Sequence, residues 1–335
     1  MKYKSSDGVT AKEVTLQKKK KTPPAGNMKA VRIHEFGGAD KLMYEDVPIP
    51  QPAPDEVLIH VVASSVNPID WKIREGHMKD RVKLPLVLGW DAAGIIVGTG
   101  DLVNHFIGGD KVFARLDPMH DGAYAEYAVA KASDVAHAPH IPLYESAGVP
   151  LAAQTAWAGL FEMGNLKPKQ KVLIHGASGG VGTFAVQLAK IAGAYVVATT
   201  SAENAELVKA LGANEVIDYK KEDFSQMVKD MDLVFDTIGG ETQARSWQVI
   251  RKGGTLVSTV GADEKEAARH GVTGKSFMVN SSGGRLQEIA ALINKHLLRV
   301  VIDKEFTLQE VKQAHELSQS GKAKGKIILR VSNEK

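Results

Sequence analysis

The sequence predicts an α/β protein of two domains, one mostly β and one a doubly wound parallel sheet, with a cleft between them. Three observations carry this. Residues 28–149 read as short β runs broken by Pro and Gly, residues 150–298 alternate β-rich runs with helical patterns, and one of those alternations turns through a glycine-rich segment. The final stretch, 299–335, is strand-like around a helical pattern and is assigned back to the first domain.

Residues 1–27 stand apart from both domains. They hold seven lysines against two acids, a net charge of +5, so the rest of the chain carries −2 of the total of +3. The basic character belongs to this segment, and the folded body lacks the positive surface that nucleic acid requires. Three readings compete for it: a solvated, disordered extension or leader, a basic interaction arm, or a targeting peptide. The absence of Arg and of an apolar h-region opposes the last. Apolar alternation begins just after Met28, which could serve as the functional start.

The first domain is read as strands at 30–33, 56–63, 93–98, 111–114 and 125–130. The second is read as strand 171–175, helix 180–192, strand 195–200, helix 205–211, strand 216–217, strand 232–236, helix 243–250, strand 255–260 and helix 285–297. The return segment is strand 300–306, helix 308–318 and strand 326–331.

Composition excludes several classes. Hydrophobic residues at 44% and charged residues at 24% fit a soluble globular protein, and no apolar run reaches the roughly 18 residues of a membrane span. With no Cys, there are no disulfides, thiolate metal sites or thiol catalysis, and a reducing cytoplasm fits. The 32 glycines favour tight βα turns.

The strongest single signal is Lys171-Val-Leu-Ile-His-Gly-Ala-Ser-Gly-Gly-Val-Gly182, a buried strand meeting a glycine turn and then a helix. A dinucleotide turn needs glycine where the pyrophosphate approaches the backbone and where helix packs on strand, with free amides at the helix N-terminus. Gly179 and Gly182 fill two of those places, and Ala177 stands where the first glycine of the fingerprint belongs. Gly176, Ala177, Ser178, Gly179, Gly180, Val181 and Gly182 are therefore the phosphate-binding candidates. Cofactor choice is read at the end of the second strand, where an acid would hold a ribose hydroxyl and repel a 2′-phosphate. Here Thr200 and Ser201 end the strand and no carboxylate appears before Glu203, which favours NADPH; Lys220 or Lys221 could add charge. Alternatively, Ser201 simply caps the next helix.

From Met28 to Val331 the chain resembles the medium-chain dehydrogenase/reductase superfamily, in its zinc-free quinone oxidoreductase or zeta-crystallin-like branch. The resemblance rests on Val66-Asn-Pro-Ile-Asp-Trp71, Gly89-Trp-Asp-Ala-Ala-Gly94, Gly122-Ala-Tyr-Ala-Glu-Tyr127, Gln154-Thr-Ala-Trp157, the glycine turn, Leu211-Gly-Ala-Asn214 and Gly325-Lys326. It implies a GroES-like domain over 28–149 and 299–335 and a Rossmann dinucleotide-binding domain over 150–298. In the zinc alcohol dehydrogenases of the superfamily, metal ligands occupy the positions of Asn67 and Trp90 and an acid that of Asp91. Asn67 and Trp90 cannot reproduce a soft ligand set, so no metal is expected. His34, His60, His137 and His140 are read as surface or satisfied residues.

Without a Lewis acid, the acceptor must tolerate hydride unaided, which quinones and conjugated enones do. The resemblance implies that Asn67 lies near the nicotinamide and the substrate oxygen, that Thr155 braces the nicotinamide, and that Tyr219 lies against the adenine. It implies Ser201 at the 2′-phosphate and Thr259, Val260 and Gly261 with Met278, Val279 and Asn280 at the nicotinamide ribose and carboxamide. Trp71, Lys72 and Trp90 are assigned to the substrate mouth. Asp70 and Tyr124 are the proton-donor candidates; Asp70 could instead cap a helix, Tyr124 could simply pack, and solvent could supply the proton. Many relatives carry a Lys near Asn204 that this chain lacks. Three functions remain: an NADPH-dependent quinone reductase, an enone or 2-alkenal double-bond reductase, and a non-catalytic NADPH-binding protein. A homodimer or homotetramer is expected, with residues 255–260 and 277–279 forming the paired edge.

Overall fold

The structure, a computed structural model, describes residues 24–333. The expectation for the basic segment therefore falls outside the described residues up to residue 23. Residues 24–27 are already part of the fold. Ile49 N donates to Gly26 O at 2.9 Å, and the first strand starts at Asn27 and not after Met28.

The first half contributes β1 (Asn27–Ile33), β2 (Met43–Pro48), β3 (Glu56–Val66), α1 (Pro68–Arg74), β4 (Leu86–Val87), β5 (Asp91–Thr99), β6 (Lys111–Arg115), β7 (Tyr127–Lys131) and β8 (Val135–His137). The second half contributes α2 (Leu143–Ser146), α3 (Pro150–Trp157), β9 (Lys171–His175), α4 (Gly180–Ile191), β10 (Tyr195–Thr200), β11 (Glu215–Asp218), β12 (Met231–Asp236), β13 (Ile250–Ser258) and β14 (Thr273–Ser276). The chain then returns through β15 (Ile302–Thr307) and β16 (Lys326–Arg330).

Two sheets build the first domain. One has the order β2-β1-β4; the other runs β15-β16-β3-β5-β6-β8, with β7 also paired to β3. β3 is almost wholly buried because β16, β5 and β7 all hydrogen-bond to it. The second domain is a six-stranded parallel sheet, β11-β10-β9-β12-β13-β14. Such a sheet is covered on both faces and reads as continuous apolar runs, as Val172, Leu173 and Ile174 in β9 do. Leu173, Val234 and Leu256 pack on one face with Trp247. On the other face Ile174 and Phe235 meet Phe184 of α4, and this core also takes in Val62, Phe113 and Ile328 of the first domain. The two domains thus share one core at their junction.

The elements differ from the sequence reading where signals were short. β2, β4 and β8 carry too few alternating residues to stand out. The helix expected at 243–250 is Gly240–Ser246 with a short 3-10 turn, and β13 begins at Ile250. α3 widens into a π-helical turn at Ala158–Met163, where Gly159 lets Phe235 approach; a Cβ there would lie 2.2 Å from the Phe235 ring. Among the described residues, no helix is long and apolar enough to cross a membrane.

Candidate active site

The site forms where α1, α3 and β16 converge on the glycine turn after β9. Pro68 opens α1, where its missing N–H is an orphan in any case, and Asn67 precedes it in an extended conformation. Asp70 Oδ2 accepts from Asn67 N at 2.8 Å, so it caps the helix from the third position. The Asn67 side chain is directed elsewhere. Its Nδ2 donates to Asp91 Oδ2 at 2.8 Å and its Oδ1 accepts from Lys326 Nζ at 2.5 Å.

Asp91, at the start of β5 and fully buried, is the hub. Its Oδ2 also accepts from Ser65 Oγ of β3 at 2.6 Å and lies 3.4 Å from Lys326 Nζ, while Oδ1 accepts from Leu151 N of α3 at 2.7 Å. One carboxylate therefore ties two strands of the first domain, both helices at the cleft and the return strand.

Behind this cluster lies a directional chain of donors. Arg74 Nη1 meets His315 Nδ1 at 3.2 Å, His315 Nε2 meets Tyr124 Oη at 3.2 Å, and Tyr124 donates to Asp70 Oδ2 at 2.7 Å. Arginine only donates, so His315 is neutral with its hydrogen on Nε2. Burial and the adjacent Arg74 charge lower His315 to about 3. Burial raises Asp70 to about 7 against the opposing hydrogen bond from Tyr124, and burial with the Asp70 charge pushes Tyr124 well above its ordinary value.

Asp70 and Tyr124 are each 0% exposed. Neither reaches the surface; both lie beneath Asn67, whose backbone N–H donates to Asp70 Oδ2. Trp90 is corrected as a residue of the substrate mouth. It is 0% exposed, packed in the first-domain core with Nε1 3.4 Å from His120 O, because the tight turn around Gly89 folds its ring inward. Trp71 and Lys72 stay half-buried at the rim, with Lys72 Nζ 5.6 Å from the Trp71 ring centroid.

The titration of His315 has a measurable consequence. A histidine whose folded value lies far below 6.5 contributes stability that is present above pH 6.5 and is lost as pH falls toward its folded value. Asp70 acts oppositely, since its ionisation costs stability as pH rises from about 4 to about 7. We expect the cost of His315→Gln in urea unfolding to shrink by roughly 3–4 kcal/mol between about pH 7.5 and about pH 4. A cost independent of pH would mean that His315 is not buried as the neutral form.

The cofactor cradle follows β9. Gly176 has φ +70°, a conformation open to glycine, and its carbonyl accepts from Gly179 N at 3.0 Å. Gly179 is the N-cap of the twelve-residue α4, and its position leaves the first helical amides without side-chain caps. Ala177 is buried and its N–H donates to Thr199 O at 3.2 Å, so alanine suffices at the place of the first fingerprint glycine. At the end of β10, Ser178 Oγ accepts from Thr200 Oγ1 at 2.9 Å and from Asn204 Nδ2 at 3.3 Å. Ser201 Oγ donates to Glu203 Oε1 at 3.1 Å and is not spent capping the following turn. Asn204 Oδ1 is buried and unpartnered.

Tyr219 is 57% exposed beside this cluster, its N–H on Thr200 O. Farther along the chain, Val260 and Met278 are exposed, Gly261 O accepts from Gln243 Nε2 at 2.6 Å, and Asn280 O accepts from Arg285 Nη1 at 3.0 Å. Thr155 Oγ1 donates back to Leu151 O at 2.7 Å, which leaves its oxygen lone pairs free to accept. These residues fit a dinucleotide: a glycine cradle, uncapped amides, an unpartnered amide oxygen and an exposed aromatic.

They do not fit zinc. The place of one ligand is held by an amide already paired on both sides, that of another by a core tryptophan, and the buried Asp91 already has a lysine ammonium against it. Among the described residues no group of three or more His, Cys, Asp or Glu could hold a metal. Sequence reasoning named Asp91 and Lys326 only as parts of motifs and gave no role to His315 or Arg74. A lysine opening the otherwise apolar run Lys326-Ile-Ile-Leu329 was the available signal.

Residues 53–140 match the alcohol dehydrogenase GroES-like domain and residues 211–329 match the zinc-binding dehydrogenase family. A chloroplastic quinone-oxidoreductase homolog of Spinacia oleracea is 33% identical over 324 residues, covering 90% of this chain and 98% of that protein. A chloroplastic NADPH-dependent alkenal/one oxidoreductase of Arabidopsis thaliana is 36% identical over 315 residues, covering 90% and 79%. The solved quinone oxidoreductase of Coxiella burnetii superposes with a TM-score of 0.87 at 33% identity, covering 92% of this chain and all of that one. With the glycine cradle, the two-domain architecture and this likeness together, the chain belongs to the medium-chain dehydrogenase/reductase family, in its quinone-oxidoreductase branch, and is an NAD(P)H-dependent oxidoreductase.

Proposed function

We propose that this enzyme reduces a quinone with NADPH and without a metal. The observation that supports the reading is the Asn67 amide, held between Lys326 and Asp91 at the domain junction where a metal centre would need soft ligands. Bound there, the cofactor supplies hydride from C4 of its nicotinamide.

The protein's own residues do the rest. Ser178, Gly180, Val181 and Gly182 receive the pyrophosphate on backbone amides, and Gly176 and Gly179, having no side chains, leave room for its approach. Thr200 and Ser201 receive the 2′-phosphate, and Tyr219 covers the adenine. Thr155, Thr259, Val260, Gly261, Met278, Val279 and Asn280 hold the nicotinamide end. Asn67 donates a hydrogen bond to the oxygen on which negative charge develops, Trp71 and Lys72 line the mouth, and the proton comes from water.

A second reading is reduction of an enone or 2-alkenal double bond, supported by the Arabidopsis relative's name. Nicotinamide oxidation measured in parallel with a 1,4-quinone and a 2-alkenal, with NADPH and then NADH, separates them. Turnover of the quinone is expected. A saturated aldehyde as the main product would favour the second reading, and NADPH binding without turnover of either would favour a non-catalytic protein. The paired edge expected at residues 255–260 is corrected, because β13 is hydrogen-bonded on both sides, by β12 and by β14. We propose instead a homodimer or homotetramer joined through β14 and the following residues 277–279, and a cytoplasmic setting, checked by light scattering and by fractionation.

A further inference from the structure

Lys326 begins β16 with its stem against the glycine turn. Gly325 N donates to Ser178 O at 2.8 Å, Gly325 forms an isolated parallel bridge with Gly179, and a Cβ on Gly180 would lie 3.1 Å from Lys326 Cδ. The residue is 3% exposed, and its ammonium ends on Asn67 Oδ1 and beside Asp91 Oδ2. Burying a cation beneath a cofactor cradle is costly unless it is paired. Here the pairing does something specific.

An ammonium only donates and an ionised carboxylate only accepts. Asn67 stands between the two, so its oxygen must face Lys326 and its nitrogen must face Asp91. The amide orientation is set by its partners' chemistry. Nδ2 carries two hydrogens, one of which goes to Asp91. The other has no partner among the described residues. Turned over, the amide would set its carbonyl against Asp91 and its N–H₂ against the ammonium, two repulsive contacts in place of two hydrogen bonds.

We propose that Lys326 is a positioning residue for the reduction: by holding Asn67 Oδ1 and Asp91 together, its ammonium locks the Asn67 amide with its free N–H available to the acceptor oxygen. The proposal rests on the reductase reading above. Lys326 takes no part in proton transfer; the hydride brings the electron pair, charge develops on the acceptor oxygen, and water supplies the proton, so that a quinone gains two electrons and two hydrogens overall and becomes the hydroquinone.

The test uses the full chain with Lys326→Met, Lys326→Arg, Asn67→Ala and the double variant Lys326→Met/Asn67→Ala. For the acceptor that the parent enzyme reduces, Lys326→Met is expected to lower kcat about 10- to 100-fold with NADPH Kd changed less than about threefold. Lys326→Arg should restore much of the rate, and the double variant should be no slower than Asn67→Ala, because Lys326 acts through Asn67. Losses that multiply in the double variant, or a loss confined to NADPH Kd as for a plain phosphate contact, would overturn the proposal.

An activity-independent readout accompanies it. In cofactor-free protein the side-chain NH₂ resonances of Asn67, identified by their loss in Asn67→Ala, should move in Lys326→Met and stay near the parent position in Lys326→Arg. Unmoved resonances sink the proposal. If the parent turns over neither acceptor while these resonances still move, the reductase reading fails and the Lys326–Asn67 lock stands. Should Lys326→Met not fold, Lys326→Gln takes its place, since it keeps a donor and removes the charge.

Discussion

Gly182→Ala is expected to weaken NADPH binding at least about 100-fold and to lower the melting temperature by several degrees. A Cβ at this position would lie 2.1 Å from Gly176 O and 2.7 Å from Ala177 Cα, both backbone atoms of the cradle. Gly176 cannot retreat: its carbonyl holds Gly179 N, and its own Cα faces Thr237, where a Cβ would lie 2.5 Å from Oγ1. The N-terminus of α4 must therefore move away from β9, and the amides that face the phosphates move with it. Overpacking of this kind costs about 1–3 kcal/mol in stability even where the structure relaxes. Gly180→Ala should be milder in the melt, since its Cβ meets the stem of Lys326 at 3.1 Å and backbone only at Gly325 O, 3.4 Å away. Fluorescence titration with NADPH and a thermal melt of both variants check this; parent-like affinity in Gly182→Ala would show that the turn does not carry the phosphates.

Ser201→Asp should cost NADPH about 100-fold or more in affinity while NADH changes only a few-fold, a difference of a few kcal/mol from like charge and a lost donor. Ser201 is 5% exposed, accepts from Asn204 Nδ2 at 3.1 Å and donates to Glu203. Glu203 is thus the nearest competitor for the same hydroxyl, and Glu203→Gln should strengthen NADPH binding a few-fold by removing a negative charge from the pocket. Isothermal titration with both nucleotides reads the two variants. Equal losses for NADPH and NADH in Ser201→Asp would place the 2′-phosphate elsewhere.

The division into a β-rich half, an alternating half and a return segment was legible because each rests on many residues. Val172, Leu173 and Ile174 announce a doubly covered strand, and the following glycines announce a turn. Short elements such as Leu86–Val87 were not legible, since two residues show no period. In the site, the glycine cradle could be read from local spacing, whereas Asn67 was marked only by the family resemblance. The contacts among Arg74, His315, Tyr124 and Asp70 could not: His315 lies 191 positions from Tyr124, and nothing local distinguishes it from a surface histidine. Burial also decided the fate of Trp90, and burial is a property of the assembled sheets.

The return of the chain to its first domain sets an order of assembly. β3, the centre of the larger sheet, completes its pairing only when β16 arrives, and their register joins Val66 to Ile327 and Ala63 to Arg330. During synthesis the parallel-sheet domain has all its strands in hand while that flank of β3 is still an open edge, apolar and ready to pair with another chain. A ribosome stalled short of Lys326 would release a nucleotide-binding half joined to a sticky, unfinished sheet. Protein made slowly near its C-terminus should accordingly be lost to aggregation before it is lost to misfolding of the cofactor cradle.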